Sequence, residues 1–155
     1  MPPKYSLPEI ERRWLVDLSA IDLESLGRAE IIVDRYVVGT RLRLRKMCGE
    51  TTIYKLVKKY GREGWVEPIT NLYLDSTEYE LLCNLPANEV TKNRFHFANG
   101  SLDVYRFETE TIGIFEIEFL SLEEAQSFSP PHFVVRELLD EDDNTGVSLA
   151  LRRRN

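Results

Sequence analysis

The sequence contains few cysteines and no long apolar run. Its two cysteines, Cys48 and Cys83, lie far apart, so neither a zinc knuckle nor a disulfide framework is expected. No apolar run approaches the roughly 20 residues that a membrane-spanning helix needs, which argues against a helical membrane protein. The segment Met1–Tyr5 lacks the apolar core and the small-residue cleavage site of a secretory signal. We therefore expect a cytoplasmic protein without a membrane partner.

Basic residues are outnumbered by acidic ones. The 155 residues include 20 Lys and Arg against 26 Asp and Glu, and the formal net charge is -6. This balance argues against a protein that binds nucleic acid through an overall basic surface. Hydrophobic residues make up 43% of the chain, a content typical of a globular protein and not of a disordered one. The length suits a single domain over residues 1–155.

Most of the chain is predicted to form β-strands, because it is rich in Val, Ile, Tyr and Phe. The predicted strands are Glu9–Val16, Ile31–Val38, Thr40–Met47, Thr52–Lys59, Asn71–Leu74, Arg94–Ala98, Ser101–Phe107 and Ile112–Phe119. A capping-box pattern in 121–124 predicts a short helix, 75–85 predicts another, and 145–153 fits either helix or strand. Many strands with few helices between them predict a mainly β fold whose antiparallel sheet packs on a second layer or closes on itself.

Like charges are sorted onto one face of several predicted strands. Side chains on a strand alternate between its two faces, so residues two apart share a face. The sorted rows are Glu9, Glu11 and Arg13; Arg41, Arg43 and Arg45; Lys55 and Lys59; Lys92 and Arg94; and Glu116 and Glu118. The solvent-facing side of a half-buried sheet explains any single row. It explains the whole collection less well, because like charges on one face repel.

The acidic rows indicate a metal, and the basic rows indicate phosphate. Two carboxylates about 5 Å apart repel by roughly 3 kcal/mol at an effective dielectric near 20, so a group of glutamates requires a compensating cation. Oxygen ligands without Cys or His favour Mg²⁺ or Mn²⁺, whose shells are often completed by phosphate oxygens. Arginine offers a planar fork of donors to those oxygens. In a closed barrel, the charged face would line a lumen suited to a short chain of phosphates.

The segments that carry these charges, taken in order, resemble the CYTH domain, also called the triphosphate tunnel metalloenzyme family. The matching segments are Glu9–Val16 for its ExExK signature, Leu42–Arg45 for its paired-arginine strand, Tyr54–Lys59 for its lysine-ended strand, Lys92–Arg94 for its K-x-R strand, and Leu102–Val104 and Phe115–Phe119 for its late acidic strands. The resemblance runs from about Glu9 to Leu151. It implies a closed eight-stranded antiparallel β-barrel tunnel with a few short flanking helices, in which acidic residues hold a divalent metal and basic residues hold a triphosphate.

Together, the charged rows and the resemblance predict a site. The predicted phosphate-binding residues are Arg13, Arg41, Arg43, Arg45, Lys55, Lys59, Lys92 and Arg94. The predicted ligands of Mg²⁺ or Mn²⁺ are Glu9, Glu11, Glu116 and Glu118, and the resemblance adds Asp103 and Glu137. Catalytic roles are predicted for Lys92 and Arg13, and the resemblance adds Tyr36.

The sequence departs from the family pattern in three places. Arg13 stands where the signature has lysine, and an arginine cannot lose its proton in a protein, so it could not act as a general base. Many members have an R-x-E-x-E strand in the middle of the chain, and that set is missing from 65–72. Near the end, residues 136–140 lack the E-V-T motif of the family. The acidic run 140–143 lacks the Gly and terminal Glu of a calcium loop and is predicted to be a surface turn.

These features give three hypotheses for function. The first is a metal-dependent hydrolase of inorganic triphosphate or another triphosphate. The second is an adenylate cyclase of the class IV type, for which no residues of the sequence specify an adenine pocket. The third is a non-catalytic protein that binds polyphosphate or a nucleotide, which Arg13 and the missing acidic strand favour. Each implies a small triphosphate or short polyphosphate as partner, and the oligomeric state stays open between monomer and homodimer.

Overall fold

The computed structural model describes residues 1–139 and 145–152, so the acidic run 140–143 lies outside the described residues. Within them, the elements are β1 (Leu7–Val16), β2 (Glu30–Val37), β3 (Leu42–Cys48), β4 (Thr52–Lys59), β5 (Val66–Leu74), α1 (Ser76–Leu82), β6 (Ala87–Phe97), β7 (Gly100–Arg106), β8 (Thr111–Phe119), α2 (Leu122–Ser127), β9 (Val134–Glu137) and α3 (Gly146–Leu151). None of the helices in these ranges has the length and apolar character needed to cross a membrane.

Eight of the strands close into an antiparallel barrel. The strand order is β5-β4-β3-β2-β6-β7-β8-β1, and β1 also pairs with β5. This closing pair runs from Leu7 opposite Ile69 to Ile10 opposite Val66. Short β9 pairs with β1 beyond the point where β5 leaves it. The prediction of a closed eight-stranded antiparallel barrel with a few short helices is confirmed.

The largest differences from the predicted strands are at the beginnings of β5 and β6. β5 begins at Val66 and not at Asn71, and it includes Pro68, a residue that normally argues against a strand. Pro68 lies opposite Pro8 of β1. The two backbone N–H groups that proline lacks are therefore missing at a single position of the β1–β5 pair. β6 begins at Ala87 and not at Arg94, because its polar first half pairs along the whole of β2.

The apolar core of the barrel wall lies outside the lumen. Trp14, Leu102 and Phe115 are almost fully buried in a cluster that continues to Phe95 and Phe133. The 3₁₀ turns 18–20 and 23–26 and helix α2 cover this cluster. Since successive side chains of a strand point to opposite faces, the charged rows of β1 and β8 face the lumen.

Helix α3 packs at one end of the barrel. Its residues Leu149 and Ala150 are buried in a second apolar cluster with Val90, Tyr105 and Ile114 of the barrel wall. The helix begins at Gly146, where a Cβ atom would lie 2.0 Å from the Tyr36 hydroxyl, so a larger residue there would force the Tyr36 side chain to move. Within the segment 145–153, which the sequence left open between helix and strand, residues 146–151 form a helix.

Candidate functional site

A cavity of about 180 Å³ lies in the barrel lumen, and most of its walls are charged. Five glutamates and seven cationic side chains line it: Glu9, Glu11, Glu67, Glu116, Glu118, Arg13, Arg43, Arg45, Lys59, Arg62, Lys92 and Arg94. The excess of cations over carboxylates suits a polyanionic ligand. Eleven of the fifteen residues that the sequence singled out line this cavity.

Three carboxylates meet on one side of the lumen. One oxygen from each of Glu9, Glu11 and Glu118 lies within 4.8 Å of the others. Register explains the meeting, because Glu11 of β1 lies directly opposite Glu118 of β8. Like charges that face each other across a strand pair destabilise a sheet. Burial, together with the charge of Glu9, raises the pKa of Glu118. A set of carboxylate oxygens without nitrogen or sulfur fits a hard divalent cation.

Lys59 and Arg62 lie against this acidic group. Lys59 Nζ is 3.2 Å from a carboxylate oxygen of Glu9 and 3.2 Å from one of Glu67, which lies opposite Glu9 in the β1–β5 pair. Arg62 Nη2 is 3.4 Å from Glu11 and 3.7 Å from Glu67. Burial acts to lower the pKa of Lys59, but the neighbouring glutamates outweigh burial and raise it. Lys59 therefore stays charged.

A buried aspartate holds two arginines on the opposite wall. Asp34 of β2 accepts hydrogen bonds from Arg45 Nε at 2.7 Å and Arg45 Nη2 at 2.8 Å. Arg43 Nε lies 3.7 Å from the same carboxylate. Burial opposes the ionisation of Asp34, but the two arginines outweigh burial and lower its pKa. The two hydrogen bonds to Asp34 thus hold Arg45 in a fixed orientation toward the cavity.

Asp103 of β7 likewise forms ion pairs with two further cations, Arg94 and Lys92. It accepts hydrogen bonds from Arg94 Nε at 2.6 Å and Nη2 at 2.7 Å, and it also contacts Lys92 Nζ. Arg94 Nη2 in addition donates to Glu116 at 2.7 Å. Burial lowers the pKa of Lys92, although Asp103 acts to raise it. Both oxygens of Asp103 are occupied by cations of the chain.

Arg13 and Tyr36 also reach the cavity. Arg13 lies opposite Glu116 in the β1–β8 pair, and its Nε is 3.6 Å from Glu11. Tyr36 lies at the end that α3 closes, where burial raises the pKa of its hydroxyl. Neither group is suited to accept a proton near neutral pH, because the arginine stays charged and the tyrosine stays protonated.

Glu137 does not lie with the other predicted metal ligands. Its two carboxylate oxygens accept hydrogen bonds from Arg12 at 2.8 and 2.7 Å, and one also accepts from Trp65 Nε1 at 3.0 Å. Arg12 belongs to the outward face of β1, and its guanidinium stacks on Trp14 and Trp65. β9 places Glu137 on the outside of the barrel, opposite Trp14, where it forms an ion pair with Arg12.

Three more predicted residues lie elsewhere than expected. Arg41 is exposed in the turn before β3, where strand alternation does not apply, and its guanidinium lies against Gly61. Lys55 belongs to the lumen face but stacks on Tyr73, 5.0 Å from the ring centre, away from the cavity walls. Asp103 is fully buried behind Arg94 and does not join the acidic group.

The sequence reasoning missed three charged residues of the site. The sequence did contain a signal for Asp34, because it is a single acidic residue that directly follows the apolar segment 31–33 of a predicted strand. Glu67 lies next to Pro68, which hid the first half of β5. Arg62 comes from the loop between β4 and β5, where no periodic pattern indicates which side chains point inward.

A Glu137→Gln variant tests the structural assignment of this residue. We expect it to lower the free energy of unfolding by about 1.5–3 kcal/mol, because it weakens a hydrogen-bonded ion pair with Arg12. Urea denaturation measures this loss, and a Mn²⁺ titration of the same variant should match wild type. A loss of Mn²⁺ affinity without a loss of stability would restore Glu137 as a metal ligand.

Comparison with known proteins identifies related folds. No protein-family model matches the chain, and no curated protein matches it. The crystal structure of the inorganic triphosphatase NE1496 matches 95% of this chain and 97% of its own, with 24% identity and a TM-score of 0.57. A second structure of NE1496, described as a hypothetical protein, matches 92% of this chain and 97% of its own, with 25% identity and a TM-score of 0.55.

A third solved structure comes from Bacillus halodurans and is provisionally described as an adenylate cyclase. It matches 79% of this chain and 86% of its own, with 17% identity and a TM-score of 0.53. At these identities the likeness concerns the fold. The chain therefore shares the barrel architecture of an inorganic triphosphatase over nearly its whole length.

Proposed function

We propose that this protein is a metal-dependent triphosphatase that hydrolyses inorganic triphosphate or another triphosphate within its barrel. The observation that supports this most strongly is the division of one closed lumen into two walls. The acidic wall contains Glu9, Glu11, Glu67 and Glu118, and the basic wall contains Arg43, Arg45, Lys92 and Arg94. The acidic wall offers ligands for Mg²⁺ or Mn²⁺, and the basic wall offers donors for phosphate oxygens. The fold shared with NE1496 and the resemblance to the CYTH domain agree with this proposal, in which residues 1–155 act as one domain.

The basic wall binds the phosphate chain. Arg45, Arg94 and Lys92 are oriented by their buried aspartates, so little side-chain entropy is lost when a ligand arrives. Arg43 Nε is buried and has no hydrogen-bond partner among the described residues, which leaves a donor for a phosphate oxygen. Arg13 adds a further charge between the basic wall and Glu11. Tyr36 contributes a hydroxyl that stays protonated and donates a hydrogen bond.

The acidic wall holds the metal through Glu9, Glu11 and Glu118. A divalent ion bound there would neutralise phosphate charge and lower the pKa of a coordinated water. The protein's own part is to place the terminal phosphorus in line with the attacking water and to neutralise the charge on the phosphate oxygens. No covalent nucleophile is required, and the predicted catalytic residues Lys92, Arg13 and Tyr36 then act on the substrate as hydrogen-bond donors.

An adenylate cyclase is the second candidate, because a mostly apolar cavity adjoins the tunnel. This cavity of about 330 Å³ lies between the β2–β3 turn and α3, with Val38, Leu42 and Val147 in its walls. It shares Tyr36 and Arg43 with the tunnel, so an organic group there would be joined to phosphates in the lumen. Such an arrangement would suit ATP, whose innermost phosphorus a ribose hydroxyl would attack.

Phosphorus NMR separates these functions. We expect inorganic triphosphate with Mg²⁺ or Mn²⁺ to yield orthophosphate and pyrophosphate, and metal chelation to stop the reaction. ATP that yields pyrophosphate and a cyclic nucleotide would instead show a cyclase. Tight triphosphate binding without turnover of either compound would show a binding protein and overturn the hydrolase.

A matched pair of variants tests whether the lumen carries the activity. Arg43→Ala removes a cation from the basic wall, and Lys58→Ala removes one from the outward face of β4 beside Lys59. We expect only Arg43→Ala to weaken triphosphate binding, by about 1.5–3 kcal/mol, which is typical of hydrogen bonds to charged groups. Equal losses in both variants would argue for non-specific attraction to surface charge.

A further inference from the structure

The loop between β4 and β5 places one arginine on the carboxylates that the proposed metal requires. Arg62 Nη1 donates to the backbone oxygen of Glu11 at 3.2 Å, and Nη2 lies 3.4 Å from the Glu11 carboxylate. The same Nη2 is 3.7 Å from Glu67. Only about 10% of the side chain is exposed, so its charge acts in a partly desolvated site. Arg62 thus already contacts Glu11, which is one of the proposed metal ligands.

The charges around this wall favour an exchange of cations. Four carboxylates meet there: Glu9, Glu11, Glu67 and Glu118. Lys59, Arg62 and Arg13 lie within 4 Å of them and compensate three of the four charges. A divalent ion would add two positive charges, so the four carboxylates would be neutralised without all three cationic side chains. A triphosphate that enters next needs additional cations.

Arg62 is better suited to this exchange than its neighbour Lys59. Lys59 belongs to β4, and its ammonium bridges two carboxylates at 3.2 Å each. The contacts of Arg62 with Glu11 and Glu67 are longer than the roughly 2.7–2.9 Å of strong charge-assisted hydrogen bonds. Its guanidinium also presents the planar fork that matches two phosphate oxygens. Arg62 therefore has a better alternative partner in a triphosphate than in Glu11.

We propose that Arg62 is a substrate-binding residue that competes with the metal in the empty tunnel. Without metal, Arg62 neutralises Glu11 and Glu67. When a divalent cation binds Glu11, the guanidinium turns from the carboxylate to a phosphate oxygen of the triphosphate. The inference rests on the proposed function, and it makes metal and triphosphate binding mutually supportive.

The proposal predicts opposite changes in two affinities. Arg62→Ala should bind Mn²⁺ at least about threefold more tightly than wild type when phosphate is absent, because a competing cation is gone. The same variant should bind imidotriphosphate, a slowly hydrolysed analogue, about tenfold more weakly at saturating Mn²⁺, or about 1.4 kcal/mol. Electron paramagnetic resonance of free Mn²⁺ measures the first affinity, and calorimetry measures the second. Arg62→Lys should bring both the Mn²⁺ affinity and the imidotriphosphate affinity most of the way back to the wild-type values.

The controls separate this proposal from a structural role and from failure of the proposed function. Lys58→Ala should leave both affinities unchanged, and Arg62→Gln keeps the size of the side chain if Arg62→Ala folds poorly. A brace that only holds the loop would lower both affinities and the melting temperature together, which would overturn the proposal. Unchanged Mn²⁺ affinity in both Arg62 variants would also overturn it. Absence of Mn²⁺ binding by the wild type would overturn the proposed function as well.

Discussion

A Glu118→Gln variant is expected to lose metal-dependent release of orthophosphate by at least about a hundredfold. Glu118 supplies one of the three oxygens that meet in the acidic wall, and no ion pair holds its carboxylate within residues 1–139 and 145–152. Loss of even an outer-shell partner commonly weakens metal binding by about 10- to 100-fold, so loss of a direct ligand should do at least as much. A Mn²⁺ titration and an orthophosphate assay measure the two effects.

The same variant should remain as stable as wild type, or become more stable, when metal is absent. Burial and the charge of Glu9 raise the pKa of Glu118, so the native state binds its proton more tightly than the unfolded state does. Ionisation of Glu118 therefore lowers stability as the pH rises through its titration, and Gln removes that cost. Melting curves without metal should coincide at acidic pH and separate in favour of the variant near neutral pH.

Glu116→Gln is the matched comparison on the same strand. Glu116 accepts a hydrogen bond from Arg94 and lies outside the group of three carboxylates. Its replacement should therefore reduce Mn²⁺ affinity much less than replacement of Glu118. If the two variants lose Mn²⁺ affinity equally, the metal is not held by the group that contains Glu118. A large loss of metal-free stability in Glu118→Gln would instead show that this carboxylate is a structural partner of the basic wall.

Strand alternation predicted the parts of this site that lie within regular strands. Glu9 and Glu11 are two apart on β1, and Glu118 faces Glu11 because antiparallel pairing brings the strands into register. Nothing local could fix that register, but the apolar residues between the glutamates placed the glutamates together on the face opposite the apolar core. The same reasoning failed at Arg41, because the strand begins one residue later and a turn has no alternation.

Other parts of the site depend on contacts between distant segments. Glu137 reaches the outer side of the barrel because Arg12 and Trp65 hold its carboxylate, and no spacing along the chain indicates that contact. Arg62 enters the lumen from a loop, where direction depends on the backbone path and not on a period. The resemblance named Asp103 only as a metal ligand, and only the structure shows that Arg94 occupies its carboxylate.

An Asp103→Asn variant is expected to cost about 3–5 kcal/mol of stability at neutral pH. Asp103 is fully buried and holds Arg94 and Lys92, so the amide would leave two cations without their carboxylate. Breaking a buried ion pair by removing one partner typically has this cost. For a chain of this length, the melting temperature should fall by roughly 10 °C. Differential scanning calorimetry without ligand measures the loss.

The pH dependence of that loss follows from the pKa of Asp103. Burial opposes its ionisation, but the charges of Lys92 and Arg94 outweigh burial and lower the pKa to about 2, from about 3.9 in an unfolded chain. The stabilisation from the carboxylate is therefore complete above about pH 4 and disappears as the pH falls toward 2. Wild type and variant should differ most near neutral pH, and the difference should narrow across that acidic range.

Added triphosphate should restore part of the stability lost in the variant. The cations that lose Asp103 both line the lumen, so a phosphate chain becomes their replacement partner. Wild type gains roughly 2.7 kcal/mol from ligand at 100 times its dissociation constant. The variant should gain more at the same concentration, because the attraction of two uncompensated cations for phosphate outweighs the loss of their fixed orientation. A variant that keeps its stability but loses Mn²⁺ affinity would show that Asp103 is a metal ligand after all. A smaller triphosphate effect than in wild type would mean that the aspartate must orient Arg94 and Lys92 before they can bind phosphate.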